Sequence, residues 1–497
     1  MRLKPTSAVA FACAACAMIV TSCATDVTTD VNIDPAGNAI SFAPSVGHST
    51  RATETTISNL GDFAVIARGM HPDGVLYDSY LIGSRDEGGE IAKFNSLASD
   101  GKSGIWQLDR KIYWPASMKR ALFIGYTTLK RNNKNVSESS TNGVLGSAAF
   151  GVSEADKPYI SGFSPLKNKL TDAAVNGAWA DGESQKDLVV AFKQQDWSLQ
   201  STVPLNFRHA LTQVSIEAIQ KDKDEKNDNR IVKVKGAWIV NAAKTGTLTA
   251  TINIDKTNDE HKASNKTTWS VTTDKETYGA YYTDYLPLEK ENAKELLRQS
   301  LMLIPESLNE WDHTEGGTGA YIMLLCRIEL EHDGKGHADV DISDTGISGE
   351  KHYHQLFPVN ATMYDGSEYG FICVPISTDW GEVVENQDDC KGAGKHYTYT
   401  LDICGATTGA GLYPPTQDAS KLIPANPTVS ALVLNATKGE YETQTVALKV
   451  VQTRPTGKYV GSKVLDDPIK FSVSVTPWKN ETGSWTDGTA EPDETEN

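Results

Sequence analysis

Cys23 is the residue whose setting points most directly to chemistry. It follows Val20-Thr21-Ser22 and an uncharged run of small and apolar residues from Ser7 to Val20, with Arg2 and Lys4 ahead of them. A positive start, an apolar stretch of about 7–15 residues and small residues before the cut describe a secretory signal peptide. A thiol directly after Val-Thr-Ser matches the bacterial lipobox, where a diacylglycerol joins the sulfur before the signal is removed, a motif to be read before fold. The apolar run is shorter than the ~20 residues that span a bilayer. Residues 1–22 therefore read as a lipoprotein signal, and Cys23 as the lipidated first residue of the mature chain, attached to the outer membrane.

The remaining candidates for chemistry are sparse. Of seven cysteines, Cys13 and Cys16 leave with the signal, and Cys326, Cys373, Cys390 and Cys404 stay, spaced 47, 17 and 14 residues apart. These four include no C-x-x-C, which argues against zinc. A disulfide is compatible with export, but the spacing selects no pairing. His352 and His354 alternate as strand neighbours and could present two imidazoles to a metal on one face, but they read better as part of a surface strand or loop. His209, between Arg208 and Ala210, reads as a structural histidine because no nucleophile motif accompanies it. Asp26, Asp30 and Asp34 lack EF-hand spacing. There is no G-x-S-x-G, H-E-x-x-H or Walker loop. The expectation is a protein without catalytic residues, metal or cofactor.

The elements that would carry any site are strands. Runs rich in β-branched and aromatic residues recur at Ala39–Phe42, Asp62–Ala67, Ala121–Thr127, Asp187–Phe192, Val214–Ile219, Val232–Val240 and Thr247–Ile254. They continue at Ala320–Leu330, Glu368–Pro375, His396–Ile403, Val429–Leu434, Thr443–Val451 and Ile469–Val475. Short strands punctuated by Gly, Asn, Asp and Pro predict sandwiches or barrels. The last run alternates most cleanly, with Ile469, Phe471, Val473 and Val475 on one face. One helix is expected, over Glu289 to Leu301. Lys221 to Arg230 has one apolar-free decapeptide and reads as a hairpin loop. The formal charge of −17 becomes −19 once Arg2 and Lys4 leave with the signal, which excludes nucleic acid as a long-range electrostatic partner.

Several segments in a fixed order resemble the fimbrillin family of Bacteroidetes surface lipoproteins. Ile40-Ser41-Phe42 is followed by Ser49-Thr50-Arg51-Ala52-Thr53-Glu54-Thr55 and then by Asp62-Phe63-Ala64-Val65. Trp106, Tyr113-Trp114-Pro115 and Leu122-Phe123-Ile124 are similar to a second family segment. Asp187 to Ala191, with Pro204-Leu205-Asn206-Phe207-Arg208-His209-Ala210-Leu211, is similar to a third. Leu301-Met302-Leu303-Ile304-Pro305 and Gly394 to Leu401 extend the order into the second half. Two departures stand out: Glu306 follows Ile-Pro where the family commonly has Gln, and an acidic tail follows Trp478.

The resemblance implies an all-β chain of two transthyretin-like β-sandwich domains in tandem. Together with the signal, the polar stretch Lys256 to Lys266 that follows a completed strand series and the acidic end, this gives 1–22 signal, 23–51 lipidated linker with a removable first strand, 52–255 and 256–478 the two sandwiches, and 479–497 an acidic tail. The resemblance further implies that a trypsin-like protease cuts between Arg51 and Ala52, removing the strand at Ile40, Ser41 and Phe42. A strand from another fimbrial subunit, of the same or a related kind, would fill the groove, and Ile469, Phe471, Val473 and Val475 mark the candidate donor. Stalk, tip and anchor roles all stay open, with a host or bacterial surface ligand expected for a tip. The acidic tail leans toward a tip or accessory subunit. The rival class is a monomeric surface lipoprotein that binds glycan or host protein.

Overall fold

The computed structural model describes residues 39–480 except 49–59, 86–87, 98–103, 128–143, 146, 154–155, 167–184, 197–201, 222–228, 256–262, 298–299, 334–350, 360–364, 384–388, 436–439, 466 and 478. Cys23, Arg51, Ala52, most of the Lys221–Arg230 loop and the tail from 481 lie outside the described residues.

Strand follows strand along the chain. The first ten are β1 (Ser41–His48), β2 (Phe63–Met70), β3 (Leu76–Ile82), β4 (Glu90–Leu97), β5 (Gly104–Leu108), β6 (Arg120–Thr127), β7 (Ala149–Val152), β8 (Pro158–Phe163), β9 (Val189–Asp196) and β10 (Thr202–His209). Next come β11 (Thr212–Ile219), β12 (Arg230–Ala243), β13 (Gly246–Ile254), β14 (Ala263–Val271), β15 (Lys275–Pro287), β16 (Lys294–Glu295), β17 (Leu301–Leu303) and β18 (Tyr321–Asp333). The series ends with β19 (Lys351–Phe357), β20 (Glu368–Pro375), β21 (Lys395–Asp402), β22 (Thr428–Asn435), β23 (Glu440–Ala447), β24 (Lys449–Val451), β25 (Lys470–Pro477) and β26 (Lys479–Asn480). Among the described residues the one helical element is a short turn at Ala419–Lys421, and no helix is long and apolar enough to cross a membrane.

The all-β, tandem-sandwich reading holds. In the first unit the strands run in the order β10-β9-β6-β2-β4-β5-β1, and β1 also pairs with β10, so the two layers join into a closed barrel. Closure removes free edges that would otherwise offer unpaired N–H and C=O groups to other chains. In the second unit, β16-β11-β21-β25 faces β15-β12-β18-β20-β24. Val214 and Ile216 of β11 and Tyr399 and Leu401 of β21 meet Val234 of β12 and Ile322 and Leu324 of β18 in one core. The far face of the second sheet packs Trp238, Met323 and Phe371 with Val429 and Ala431 of the β22–β23 hairpin.

Two expectations are corrected. β12 and β15 stand on opposite sides of residue 256 yet pair with one another, and β12 pairs with β18 over ten residues. The break expected at 255/256 therefore runs through a single sheet, and a further four-stranded sheet, β14-β13-β8-β7, joins strands from before and after β10. The helix expected over Glu289 to Leu301 is absent. Lys294–Glu295 and Leu301–Leu303 instead pair along β11, and the Leu296 amide donates to the Ile216 carbonyl at 2.7 Å. Leu296, Leu297 and Leu301 are buried as expected, but in extended chain. Three core-seeking leucines fix a buried face; the neighbouring ladder decided the conformation.

Candidate functional site

The sequence placed the most informative residues at the two ends of the chain, and the fold gives each end a distinct environment. β1 closes the barrel. It runs parallel to β10 from Ser41/Thr202 to Val46/Phe207 and antiparallel to β5 at Ser41/Gln107 and Phe42/Trp106. Side chains alternate across a strand, so Ile40, Phe42, Pro44 and Val46 point inward and are buried. Phe42 is fully buried and meets the rings of Phe63 and Phe123, each at 6.2 Å between centroids and edge-on. That geometry suits the quadrupoles of paired aromatic rings. Behind it, Phe63 packs edge-on against Phe207 at 5.0 Å. Gly125 of β6 leaves room for the Phe207 ring, since a Cβ there would stand 2.9 Å from it.

The polar side of β1 is keyed to the same neighbour. The Ser41 and Thr202 hydroxyls lie 2.9 Å apart, and the Ser45 hydroxyl donates to Asn206 Oδ1 at 2.7 Å. The Ile40 amide donates to the Ile112 carbonyl at 2.7 Å. Each fully buried aliphatic or phenyl side chain contributes roughly 2 kcal/mol, so β1 is firmly seated while its covalent link persists.

β25 is the counterpart. Among the described residues it lies at the edge of its sheet and pairs with β21 alone, from Lys395/Pro477 to Asp402/Lys470. Phe471, Val473 and Val475 share one face, as the alternation predicts, yet remain 40%, 43% and 50% exposed. Ile469, just ahead of the strand, is buried at 5%. Phe471 reaches only the rim of the core, 6.0 Å from Tyr399. An edge strand with an exposed apolar stripe is a template for pairing with another chain. The following pair, β26, meets Gly47 and His48 at the end of β1.

The other candidate residues are drawn into the fold's interior. His209 Nδ1 stands 2.9 Å from Asp187 Oδ2, both buried, at the junction of the two units. His354 is buried on β19, and the side chain of His352 lies outside the described residues. Among the described residues no group of three His, Cys, Asp or Glu is gathered as a metal would require. Cys326, Cys373, Cys390 and Cys404 are all buried, and none of them forms a disulfide. Burial pushes the thiols of Cys326 and Cys373 well up and that of Cys390 up to about 11, so these three are not ready nucleophiles. What the sequence reading missed is the other half of the first site: Thr202 and Asn206 on β10, and the Phe63–Phe123 pocket. The alternation of Val203, Leu205 and Phe207 was its signal.

A family model described as fimbrillin-like matches residues 50–307. Among solved structures, a fimbrial protein from Bacteroides vulgatus is similar over 82% of this chain and 100% of its own, with 14% identity and a TM-score of 0.38. A candidate cell adhesion protein from Parabacteroides distasonis is similar over 89% of this chain and 98% of its own, with 10% identity and a TM-score of 0.37. A candidate cell adhesion protein from Bacteroides eggerthii gives 90% and 97%, 9% identity and a TM-score of 0.32. The comparison with curated proteins yields no match.

Proposed function

The chain belongs to the fimbrillin-like family, and from that premise we propose that it is a fimbrial subunit, exported as a lipoprotein and assembled by protease-triggered strand exchange. Membership supports a surface protein of the fimbrial type with a structural role. The finer steps are our reading. Lipid on Cys23 carries the subunit to the outer membrane. A trypsin-like protease then cuts between Arg51 and Ala52, β1 leaves, and a strand from another subunit takes its place.

One observation carries this reading: β1 is the stave that closes the barrel, and Arg51 and Ala52 lie in the sequence between β1 and β2. Without β1, the edges of β5 and β10 and the Phe63–Phe123 pocket stand open together. Such a groove recruits a strand through main-chain hydrogen bonds for affinity and alternate side-chain pockets for specificity. The exposed stripe on β25 supplies a strand of suitable pattern. Keeping β1 seated until the surface is reached prevents premature pairing.

The test is the amino-terminal residue of protein taken from cell surfaces, read by mass spectrometry, with and without Arg51→Ala. The expected mature start is Ala52, lost in the variant together with high-molecular-weight polymers. A lipidated Cys23 retained in every surface species would overturn strand exchange and leave an anchor subunit or a monomeric binding lipoprotein.

A further inference from the structure

We propose that a cleft in the second unit, between the end of β24 and the segment that follows β21, is a binding site for a single neutral sugar ring of a glycan. The site shares no residue with the strand-exchange reading and stands or falls without it.

Beyond β21 the chain crosses to the second sheet as Gly411-Leu412-Tyr413-Pro414-Pro415-Thr416-Gln417. Leu412 exchanges both backbone hydrogen bonds with Cys373 of β20, each 2.9 Å, and the Tyr413 amide donates to the Ser462 carbonyl at 3.0 Å. The facing wall is Val451, the last residue of β24, with Gln452 and Arg454 after it. Side chains lash the walls together. Arg454 Nη2 donates to the Pro414 carbonyl at 2.9 Å, and Gln452 Nε2 to that of Gln417 at 2.6 Å. Glu315 joins both walls, accepting from the Thr416 amide at 2.8 Å and standing 3.5 Å from Arg454. Loops fixed on a rigid sheet in this way are where binding sites are commonly built. The cleft measures about 280 Å3, just under the ~300–1,000 Å3 of sites for larger ligands, which suits one ring.

What remains unpaired decides the ligand. Tyr413 is 6% exposed, and its hydroxyl is buried without a hydrogen-bond partner among the described residues. Burial pushes its pKa up to about 12, against an opposing pull from the Arg454 charge, so the phenol faces the wall that carries that guanidinium. A buried hydroxyl without a partner is costly, and a ligand group that both donates and accepts would satisfy it. Gln417 commits both amide hydrogens, to the Tyr321 hydroxyl at 2.8 Å and the Pro415 carbonyl at 3.2 Å, and keeps Oε1 as an open acceptor. Gln452 keeps one N–H and its Oε1. Phe371, Pro414, Pro415 and Val451 supply apolar surface beside them.

Other ligand classes fit this lining poorly. A peptide strand needs free backbone groups to pair with. Here the carbonyls of Pro414 and Gln417 are taken by side chains and the Thr416 amide by Glu315, and the two prolines have no N–H. An anion would seek Arg454, but Glu315 already stands beside that guanidinium, and the whole chain carries a formal −17. A purely apolar molecule would leave Tyr413, Gln417 and Gln452 without partners. A pyranose answers both needs. Its hydroxyls each donate and accept, adjacent hydroxyls match the paired groups of a carboxamide or the fork of a guanidinium, and its C–H face lies against proline and phenyl.

Saturation-transfer NMR on the full chain tests this with the methyl glycosides of glucose, galactose, mannose and N-acetylglucosamine, and with glucuronic acid as the anionic probe. Each is supplied at about 20 mM, above the Kd of about 1 mM expected of one sugar ring. At least one neutral glycoside is expected to receive saturation. Tyr413→Phe and Gln452→Ala, both checked for native circular dichroism, should each weaken its binding about fivefold, near the worth of one hydrogen bond. Tyr413→Phe removes a hydroxyl that is unpaired in the free protein. Its urea midpoint should therefore hold or rise while binding falls, a split that a merely structural tyrosine would not give. If Gln452→Ala misfolds, Tyr413→Phe decides alone, since it removes a single oxygen. No transfer to any neutral glycoside would overturn the proposal. Binding unchanged in both variants would overturn the cleft as its location, and tighter binding of glucuronic acid would overturn the neutral ligand.

Discussion

Lys235 is a buried cation in the second unit, and its burial is visible in how stability should follow pH. Its ammonium donates to the Thr428 carbonyl at 3.1 Å and to that of Thr283, and stands 5.0 Å over the Tyr281 ring. Burial pulls its pKa down to about 8, against a smaller opposing pull from Asp284. An unfolded lysine titrates near about 10.4. Between these values the unfolded chain binds one more proton at Lys235 than the folded chain, so this group's contribution to stability rises with pH. Three buried thiols oppose it: Cys326, Cys373 and Cys390 are pushed up by burial, whereas an unfolded thiol titrates at about 8.5, so the folded chain keeps protons that the unfolded chain has lost. Tyr281, Tyr397 and Tyr413, pushed up to about 12 by burial, add to the same effect above about pH 10. Urea midpoints are therefore expected to fall as the pH rises from about 9 to about 11. Lys235→Met should steepen the fall between about pH 8 and about pH 10; an unchanged slope would show that Lys235 does not set it.

At the scale of elements, β1 is a strand with a built-in weakness at its centre. Proline is normally confined to edges and strand starts, and Pro44 sits in mid-strand, opposite Leu205. Pro44→Val should seat β1 more firmly. Strand preferences span about 1 kcal/mol, so polymer growth after cleavage should slow about fivefold, read by light scattering; an unchanged rate would show that Pro44 does not weaken the seating of β1. The strands themselves were largely legible in the sequence. Glu368–Pro375 was read with the bounds of β20, and Ile469–Val475 lies within a residue or two of β25. Alternation reports which face of a strand is apolar. It does not report which strand lies beside it, so the pairing of β1 with β10, with Ser41 and Thr202 161 residues apart, was not to be seen. The same limit misplaced the domain break, because nothing local in β12 names β18 as its neighbour. β14, Ala263–Val271, went unread because Trp269 and Val271 alone give it apolar bulk.

The whole molecule is braced across its two units. Gln185, buried ahead of β9, donates to the Met302 carbonyl at 2.5 Å and accepts from the Met302 amide at 2.7 Å. Leu188, Val190, Leu211, Met302 and Ile304 form a shared core around that brace. Arg208 reaches Asp389 at 3.1 Å, and Trp269 donates to the Ala210 carbonyl at 2.7 Å. Gln185→Ala would leave two buried backbone groups of Met302 unpaired, each costing about 1–3 kcal/mol. Urea unfolding should then fall in midpoint and separate into two transitions; one unshifted transition would show that the shared core alone couples the units.

β10 passes into β11 through Ala210 and Leu211 alone, β11 runs parallel to β21 over seven residue pairs, and β21 carries β25. The groove wall and the candidate donor are thus ends of one continuous path of covalent chain and hydrogen-bonded ladder. Drag on a filament of such subunits would travel along that path, bypassing the looser hairpins at the periphery. A strand held between β10 and β5 and pulled along its own axis loads its ladder in shear, so its bonds must yield together rather than one after another. The fold therefore has the wiring of a tension member, with tensile strength set by the length of the β1–β10 overlap.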